Sequence, residues 1–337
     1  MSQNFHLLIV GSGSVGKRHA GNMSFLGCQI SCMDPRAERN VELAAETPVV
    51  GSYVSYEDAL LAAGDFDGVV ICSPPSKHVE QTMACIKNGI PVLLEKPVCP
   101  DLQGAALLLE AAATANSPVL LGYTWRWWPP LVKVKALLEE NAIGRLRHVR
   151  FVLSAHLADW HPWERYQDFF MAKKELGGGA LLDESHWIDL CCWMFGEPGS
   201  VSARIDKLSS LEIDTDDNVD MLLTYANQFN VSLHLDLYGR PHEKSITFVG
   251  EDGSIKWSAE PNQVVIGRNM SDWDDIELFN CERNEMFMSV ARDFLNLLAG
   301  DPALNCSLHD GLKVLRIIEA ARTSSREGRV VTLEEIN

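Results

Sequence analysis

One feature constrains this chain more than any other. The apolar run Phe5-His-Leu-Leu-Ile-Val10 ends directly in Gly11-Ser12-Gly13-Ser14-Val15-Gly16, and a helix-like stretch from Val15 to Leu26 follows. A G-x-G-x-x-G turn between a strand and a helix has a physical reading. Gly11 permits the tight turn, Gly13 lets the backbone approach a pyrophosphate, and Gly16 lets helix and strand pack closely. The free N–H groups of the helix start then face the phosphates. A second apolar run, Gln29 to Met33, ends at Asp34, an acid at the expected distance of about 20 residues. There a carboxylate accepts ribose hydroxyls and repels a 2′-phosphate, whereas a bare Asp-Pro would only form a turn. Nearby Arg36 can accommodate a 2′-phosphate, so the reading is NAD, with NADP as the alternative.

More apolar runs follow at 68–72, 90–94 and 118–122, with helical stretches at 56–63, 79–88 and 102–115 between them. Continuous apolar strands alternating with helices imply a parallel sheet covered on both faces. After residue 122 the texture changes. Residues 149–155 and 201–268 hold several strand-like runs in succession, and two helices, near 285–298 and 310–325, close the chain. Grouped strands imply a mainly antiparallel sheet. The expected organisation is α/β, with a doubly wound domain at 1–122 and an α+β domain at 123–337.

The composition excludes some functions. With 29 basic and 46 acidic residues, the formal charge is −17, which disfavours coating nucleic acid or an anionic membrane. No stretch approaches the length of a membrane span, and the N-terminus has no basic, apolar leader. The expected location is cytoplasmic. The nine Cys are scattered without a Cys-x-x-Cys pair, so they read as reduced thiols rather than disulfides or metal ligands. No metal is expected.

Two further elements fall at the carboxyl ends of parallel strands, where open α/β sheets bind ligands. They are Cys72-Ser73-Pro74-Pro75-Ser76-Lys77-His78 and Glu95-Lys96-Pro97. From spacing alone, Lys96 is either a proton donor whose pKa burial lowers, or the surface partner of Glu95. Taken with Gly11-x-Gly13-x-x-Gly16-x-x-His19, these elements resemble the Gfo/Idh/MocA family, that of glucose–fructose oxidoreductase, inositol dehydrogenase and the rhizopine-catabolism oxidoreductase. Arg126 before Pro129, Ile143-Gly144, Gly177-Gly178-Gly179 with Asp183 and His186, and Ala320-Ala321-x-x-Ser324-x-x-x-Gly328 extend the likeness along the chain. The resemblance implies a Rossmann domain followed by an α+β domain whose open sheet forms a homodimer or homotetramer. It also implies a nicotinamide cofactor and a sugar, polyol or nucleotide-sugar substrate changed at a carbinol carbon. Cofactor contacts are then expected from residues 11–16, Asp34, Arg36, Ser73, Pro74, His78, Glu95 and Lys96.

The stretch Ala180–Phe195 reads as one helix, with Asp183, His186 and Asp189 spaced i, i+3, i+6 on one face. By itself His186 reads as a capping or solvated residue. The resemblance places the family's catalytic His there, able to remove a hydroxyl proton near neutral pH. Asp183 or Asp189 would orient it, in an Asp-x-Ser-His pattern similar to that of a subgroup. Catalytic residues are therefore expected at Lys96, Asp183 and His186. Seven of the nine Trp lie between 125 and 193. The polar loop holding Trp160, Trp163, Arg165 and Tyr166 suits either a sugar ring or a partner subunit. Arg126, Arg165, Lys173 and Lys174 offer local positive charge for a nucleotide sugar. The acidic run 212–220 lacks the glycine and terminal Glu of a calcium loop and reads as a solvated strand entry. Besides a dehydrogenase, the same residues fit an NAD-dependent redox-assisted glycosidase or a non-catalytic nucleotide-binding regulator.

Overall fold

The computed structural model describes residues 4–61, 63–160, 164–226, 229–301 and 304–336. The chain runs β1 (His6–Val10), α1 (Ser14–Phe25), β2 (Gln29–Met33), α2 (Ala37–Glu46), β3 (Gly51–Tyr53), α3 (Tyr56–Leu61), β4 (Gly68–Ile71), α4 (His78–Lys87), β5 (Val92–Leu94), α5 (Leu102–Ala115) and β6 (Val119–Leu121). It continues through α6 (Pro129–Glu139), β7 (Leu146–Ser154), α7 (Ala180–Asp183) and α8 (His186–Phe195). Strands β8 (Ser200–Asp206), β9 (Asn218–Tyr225), β10 (Phe229–Asp236), β11 (Glu243–Gly250), β12 (Ser254–Ala259), β13 (Asn262–Gly267) and β14 (Asp275–Leu278) follow. The end is α9 (Asn284–Leu298), α10 (Leu308–Glu327) and β15 (Val331–Thr332). Two compact units result, Met1–Trp127 with Glu282–Leu312, and Trp128–Cys281 with Lys313–Asn337.

The first unit is a six-stranded sheet in the order β3-β2-β1-β4-β5-β6, parallel throughout. Its central strands are buried on both faces, which is why their sequences are unbroken apolar runs. The strand order reverses beside β1, so the turns after β1 and β4 frame the crevice where such sheets bind ligands. The expectation that 123–337 forms one continuous domain is corrected at 282–312, which packs within this unit. Helix α9 buries the stripe Met286, Phe287, Val290, Ala291, Phe294 and Leu297. The Phe294 ring occupies the space left by Gly68, where a Cβ would lie 2.9 Å from it. Asn22 and Asn284 exchange hydrogen bonds at 2.9 and 3.2 Å, and Trp127 donates to Asp293 at 2.7 Å.

The second unit is built on a nine-stranded sheet, β14-β13-β12-β11-β7-β10-β9-β8-β15. Among the described residues only β7 and β10 of this sheet pair in parallel; the other neighbours are antiparallel, so the expected mainly antiparallel sheet is present. Alternating burial along β9 and β10 leaves one face covered and one partly exposed. On the covered face, fully buried Trp187 of α8 stands 6.0 Å from the Phe151 ring and 6.2 Å from the Trp257 ring. Truncating such a side chain costs about 3–5 kcal/mol, so α8 is firmly seated on the sheet. Among the described residues, no helix is long and apolar enough to cross a membrane, and no group of three or more His, Cys, Asp or Glu could hold a metal ion.

Candidate active site

The first unit gathers its functional residues at the carboxyl ends of its strands. Gly11 adopts φ +95°, and its N–H donates to the Met33 carbonyl at 2.7 Å. A Cβ on Gly11 would lie 2.8 Å from the Cys72 backbone, and one on Gly16 would lie 1.8 Å from the Gly11 carbonyl oxygen. Neither position admits a side chain. Gly13 differs, because a Cβ there would meet only the end of the Arg39 side chain, at 3.2 Å. No side chain caps the N-terminus of α1, and its first turn holds no acid. Gly13, Ser14 and Val15 thus present open backbone at a helix start, which fits the phosphates of a dinucleotide. Ser12, expected to touch the cofactor, is engaged within the unit. It is fully buried, its N–H donates to Asp34 at 3.0 Å, and its hydroxyl donates to Asn40 at 2.6 Å.

Asp34 ends β2 and is buried. Besides the Ser12 N–H, it accepts the Arg36 N–H at 3.0 Å and Arg36 Nε at 3.4 Å. A carboxylate offers about four acceptor sites, so Asp34 retains capacity for a ribose hydroxyl. The Arg36 side chain is mostly exposed.

After β4, half-buried Ser73 donates to Gln81 at 2.5 Å. His78 is fully buried, with Nε2 at 2.8 Å from the Ser73 carbonyl and Nδ1 at 2.8 Å from that of Pro97. It ties the two strand-end loops together. Burial lowers its pKa, against the two carbonyl contacts and the nearby Glu95 charge.

After β5, Glu95 is buried rather than on a loop surface. It takes a hydrogen bond from His19 Nε2 at 2.8 Å and one from the Lys96 N–H at 3.3 Å. A Cβ on Gly122 would stand 2.9 Å from the Glu95 carboxylate. Glu95 is therefore turned into the unit. The Lys96–Pro97 peptide is cis and Lys96 is half-buried. Arg126 is buried too, donating to the Asn305 carbonyl at 2.8 Å and lying 3.6 Å from Asp310.

In the second unit, the three glycines let a loop fold onto the start of α7. A Cβ on Gly178 would lie 2.5 Å from two carbonyl oxygens, and Gly179 adopts φ +110° beside Asp216. The expected single helix 180–195 is broken after Asp183. Helix α8 begins at His186, with Glu184 and Ser185 between the two. Glu184 is buried and accepts from Trp187 Nε1 at 3.0 Å. Asp183 and Asp189 are buried and His186 is half-buried.

The acidic run 212–220 is solvated at Glu212, Asp214 and Asp220, as expected of a strand entry, and also braces the neighbouring loops from within. Asp216 accepts the Leu181 N–H at 2.8 Å, Asp214 accepts the Lys174 N–H at 2.7 Å, and buried Asp217 accepts Leu208 and Ser209 N–H groups. Desolvation raises the Asp216 pKa. In the polar loop, half-buried Trp160 donates to the Ala155 carbonyl at 3.3 Å, Arg165 is exposed, and the Tyr166 hydroxyl accepts the Glu212 N–H at 3.2 Å. Trp163 lies outside the described residues.

Sequence reasoning missed Arg39, Asn40, Gln81 and Asp216. Each works through a tertiary hydrogen bond or close approach that leaves no pattern of spacing.

Comparison with known families settles the kinship. Residues 5–123 match the model of the oxidoreductase family with an NAD-binding Rossmann fold, and 131–256 match the GFO/IDH/MocA C-terminal domain. The chain belongs to the Gfo/Idh/MocA family. It is an NAD-binding oxidoreductase, as this family is. Relatives of this Gfo/Idh/MocA protein include D-apiose dehydrogenase of Rhizobium rhizogenes, 23% identical over 96% of each chain. Inositol 2-dehydrogenase of Rhizobium meliloti is 24% identical, covering 99% of this chain and 100% of its own. Among solved structures, the WlbA dehydrogenase of Bordetella pertussis, in complex with NADH and UDP-GlcNAcA, superposes with a TM-score of 0.80 at 23% identity, covering 98% of this chain and 99% of its own. That likeness shows a shared fold.

Proposed function

We propose that the chain transfers a hydride between NAD and a carbinol carbon of a sugar, polyol or nucleotide sugar. The observation that carries this reading lies in the first unit. An open glycine turn, a buried Asp34 and a half-buried Lys96 stand at the carboxyl ends of β1, β2 and β5 of one parallel sheet. Family membership and the names of the relatives support it.

Gly13, Ser14 and Val15 hold the pyrophosphate through backbone N–H groups, and Asp34 accepts a ribose hydroxyl. NAD is favoured over NADP because Asp34 repels a 2′-phosphate, while exposed Arg36 leaves the phosphorylated form as the alternative. Ser73 and Pro74 border the cofactor after β4. The bound nicotinamide supplies the hydride acceptor or donor. Lys96 donates to the reacting oxygen and stabilises it as its charge changes. His186 takes the hydroxyl proton during oxidation and returns it during reduction. Asp183 orients the imidazole, with Asp189 on the following helix turn. Trp160, Arg165 and Tyr166 border the substrate. The protein works in the cytoplasm as a homodimer or homotetramer through the open face of the second sheet. Exposed Leu222 and Arg204 on that face support an interface.

Reduced nicotinamide is measured across a panel of polyols, aldoses and UDP-sugars. The reading expects net NADH formation with one class. Lys96→Ala and His186→Asn should each lower kcat by about 100-fold or more, the usual scale for losing an acid–base group. Unchanged turnover in both variants overturns the residue roles. Turnover without net NADH indicates the glycosidase instead.

A further inference from the structure

Four Lys and Arg residues stand between Gly13 and Glu46, around the glycine turn and the end of β2. Three of them are engaged. Lys17 Nζ bridges Glu42 at 2.9 Å and Glu46 at 3.2 Å. Arg18 lies over the Phe287 ring, 5.0 Å from its centre, and donates to Asn284 at 3.5 Å. Arg36 donates to Asp34 through its backbone N–H and its Nε. Arg39 is the exception. It is half-buried on the first turn of α2, and its guanidinium makes no hydrogen bond or ion pair among the described residues. Its charge acts on Glu42, yet that carboxylate is bonded to Lys17. The place of Arg39 is specific. Nη1 lies 3.2 Å from where a Cβ on Gly13 would stand. The guanidinium thus reaches the bare side of the turn, beside the start of α1 that no side chain caps.

We propose that Arg39 is a further cofactor-binding residue, whose guanidinium pairs with the pyrophosphate of the dinucleotide above Gly13. The inference rests on the reading that this turn holds the phosphates. A dinucleotide pyrophosphate carries about two negative charges, and a helix N-terminus offers only about half a positive one. The other surroundings are unfavourable, because Asp34 is buried at the neighbouring strand end and the chain has a net charge of −17. A guanidinium restores much of the balance, and its planar fork matches phosphate oxygens in pairs. Lys17 occupies Glu42 and Glu46, so Arg39 gives up no ion pair when a phosphate arrives. Arg36 stands in a different position, since Asp34 already holds it. A 2′-phosphate would lie at Asp34, on the ribose, rather than at Gly13. Arg39 therefore serves NAD and NADP alike.

The test is equilibrium binding by the full-length protein, with no substrate and no turnover. NADH and NADPH are titrated by fluorescence and ADP-ribose by calorimetry. Arg39→Ala should weaken NADH and ADP-ribose by the same factor, about tenfold or more, the scale of hydrogen bonds to a charged group. NADPH should lose no more than NADH does. Because charges are being paired, the loss should shrink between about 0.05 M and about 1 M salt. Arg39→Lys keeps the charge without the fork and should fall between wild type and Arg39→Ala. The unliganded Tm of Arg39→Ala should match that of wild type, which separates a lost contact from a damaged fold. NADH binding by Arg39→Ala within about twofold of wild type overturns the proposal. So does a loss confined to NADPH, which marks a 2′-phosphate contact, or one that salt leaves unchanged, which marks stacking on the adenine. If wild type itself binds none of the three nucleotides, the phosphate-binding reading of the turn fails and the proposal falls with it.

Discussion

The two glycines of the first turn make opposite predictions, although the motif treats them alike. A methyl group on Gly16 would sit 1.8 Å from the Gly11 carbonyl oxygen. Carbon and oxygen need more than about 3 Å, the oxygen belongs to backbone and the methyl is fixed to backbone, so strand and helix must separate by about an ångström or more. Overpacking of this kind costs about 1–3 kcal/mol and occasionally more. Gly16 stands in the first turn of α1, and replacing a helical glycine returns up to about 1 kcal/mol of helix propensity. We take the upper end of the penalty, because no flexible side chain can give way. Gly16→Ala should then lose about 2 kcal/mol net, or roughly 4–8 °C in Tm for a unit of this size. Gly13 has an ordinary backbone, φ −74° and ψ −169°, and meets only the Arg39 side-chain end. Gly13→Ala should leave Tm unchanged or raise it slightly, since alanine restricts the unfolded chain. Its methyl would cover the face that a pyrophosphate approaches, so NADH affinity should fall about tenfold or more, which is about 1.4 kcal/mol. Thermal unfolding and NADH fluorescence titration separate the two outcomes. A wild-type Tm in Gly16→Ala, or NADH binding by Gly13→Ala within twofold of wild type, would refute the reasoning.

Asp34→Ala removes the acceptor that binds Ser12 and Arg36, so NADH should bind more weakly and the ratio of NADPH to NADH affinity should rise; equilibrium titration with both nucleotides checks this. Asp216→Ala deletes the acceptor at the start of α7 and should cost about 1 kcal/mol, the scale of a lost helix cap, in thermal unfolding. His234 lies between Asp236 and Asp220, and these hydrogen bonds raise its pKa to about 9, with Asp236 the larger cause. Its stabilisation is therefore complete below the unfolded value near 6.5 and is lost as pH rises through about 9. The Tm gap between wild type and His234→Asn should be widest near pH 6 and close by about pH 10.

The parallel sheet was legible because its strands are buried on both faces and so read as unbroken apolar runs. β3 and β15 were not. They have only three and two residues, too short for any period to register. The return of 282–312 to the first unit was hidden for a related reason. The stripe on α9 shows that the helix is buried, but stripe and spacing say nothing about which sheet buries it. The glycine turn and Asp34 were readable because backbone geometry demands those residue types at those positions. Ser12, His78 and Glu95 were assigned outward roles because each stands beside residues with such roles. The structure turns all three inward.

That inward turn has a common cause. The strand ends of an open parallel sheet leave loops whose backbone groups lack ladder partners, and a crevice there must still keep its shape. In this chain single buried side chains do the tying. Asp34 and Asn40 tie the first turn to the ends of β2 and β3, through Ser12 and the Tyr53 carbonyl. Gln81 holds Ser73, and His78 joins the loop after β4 to the loop after β5. Glu95 joins that loop to α1 through His19. The ties run between strand ends or from a strand end to the adjoining helix, so the glycine turn and the loop that carries Lys96 belong to one hydrogen-bonded rim. A rim of this kind is arranged before any ligand arrives, and the ordering cost that binding would otherwise carry is met during folding. It follows that substitutions at His78 or Asn40, which need touch no ligand, should weaken nucleotide binding more than their effect on Tm alone accounts for.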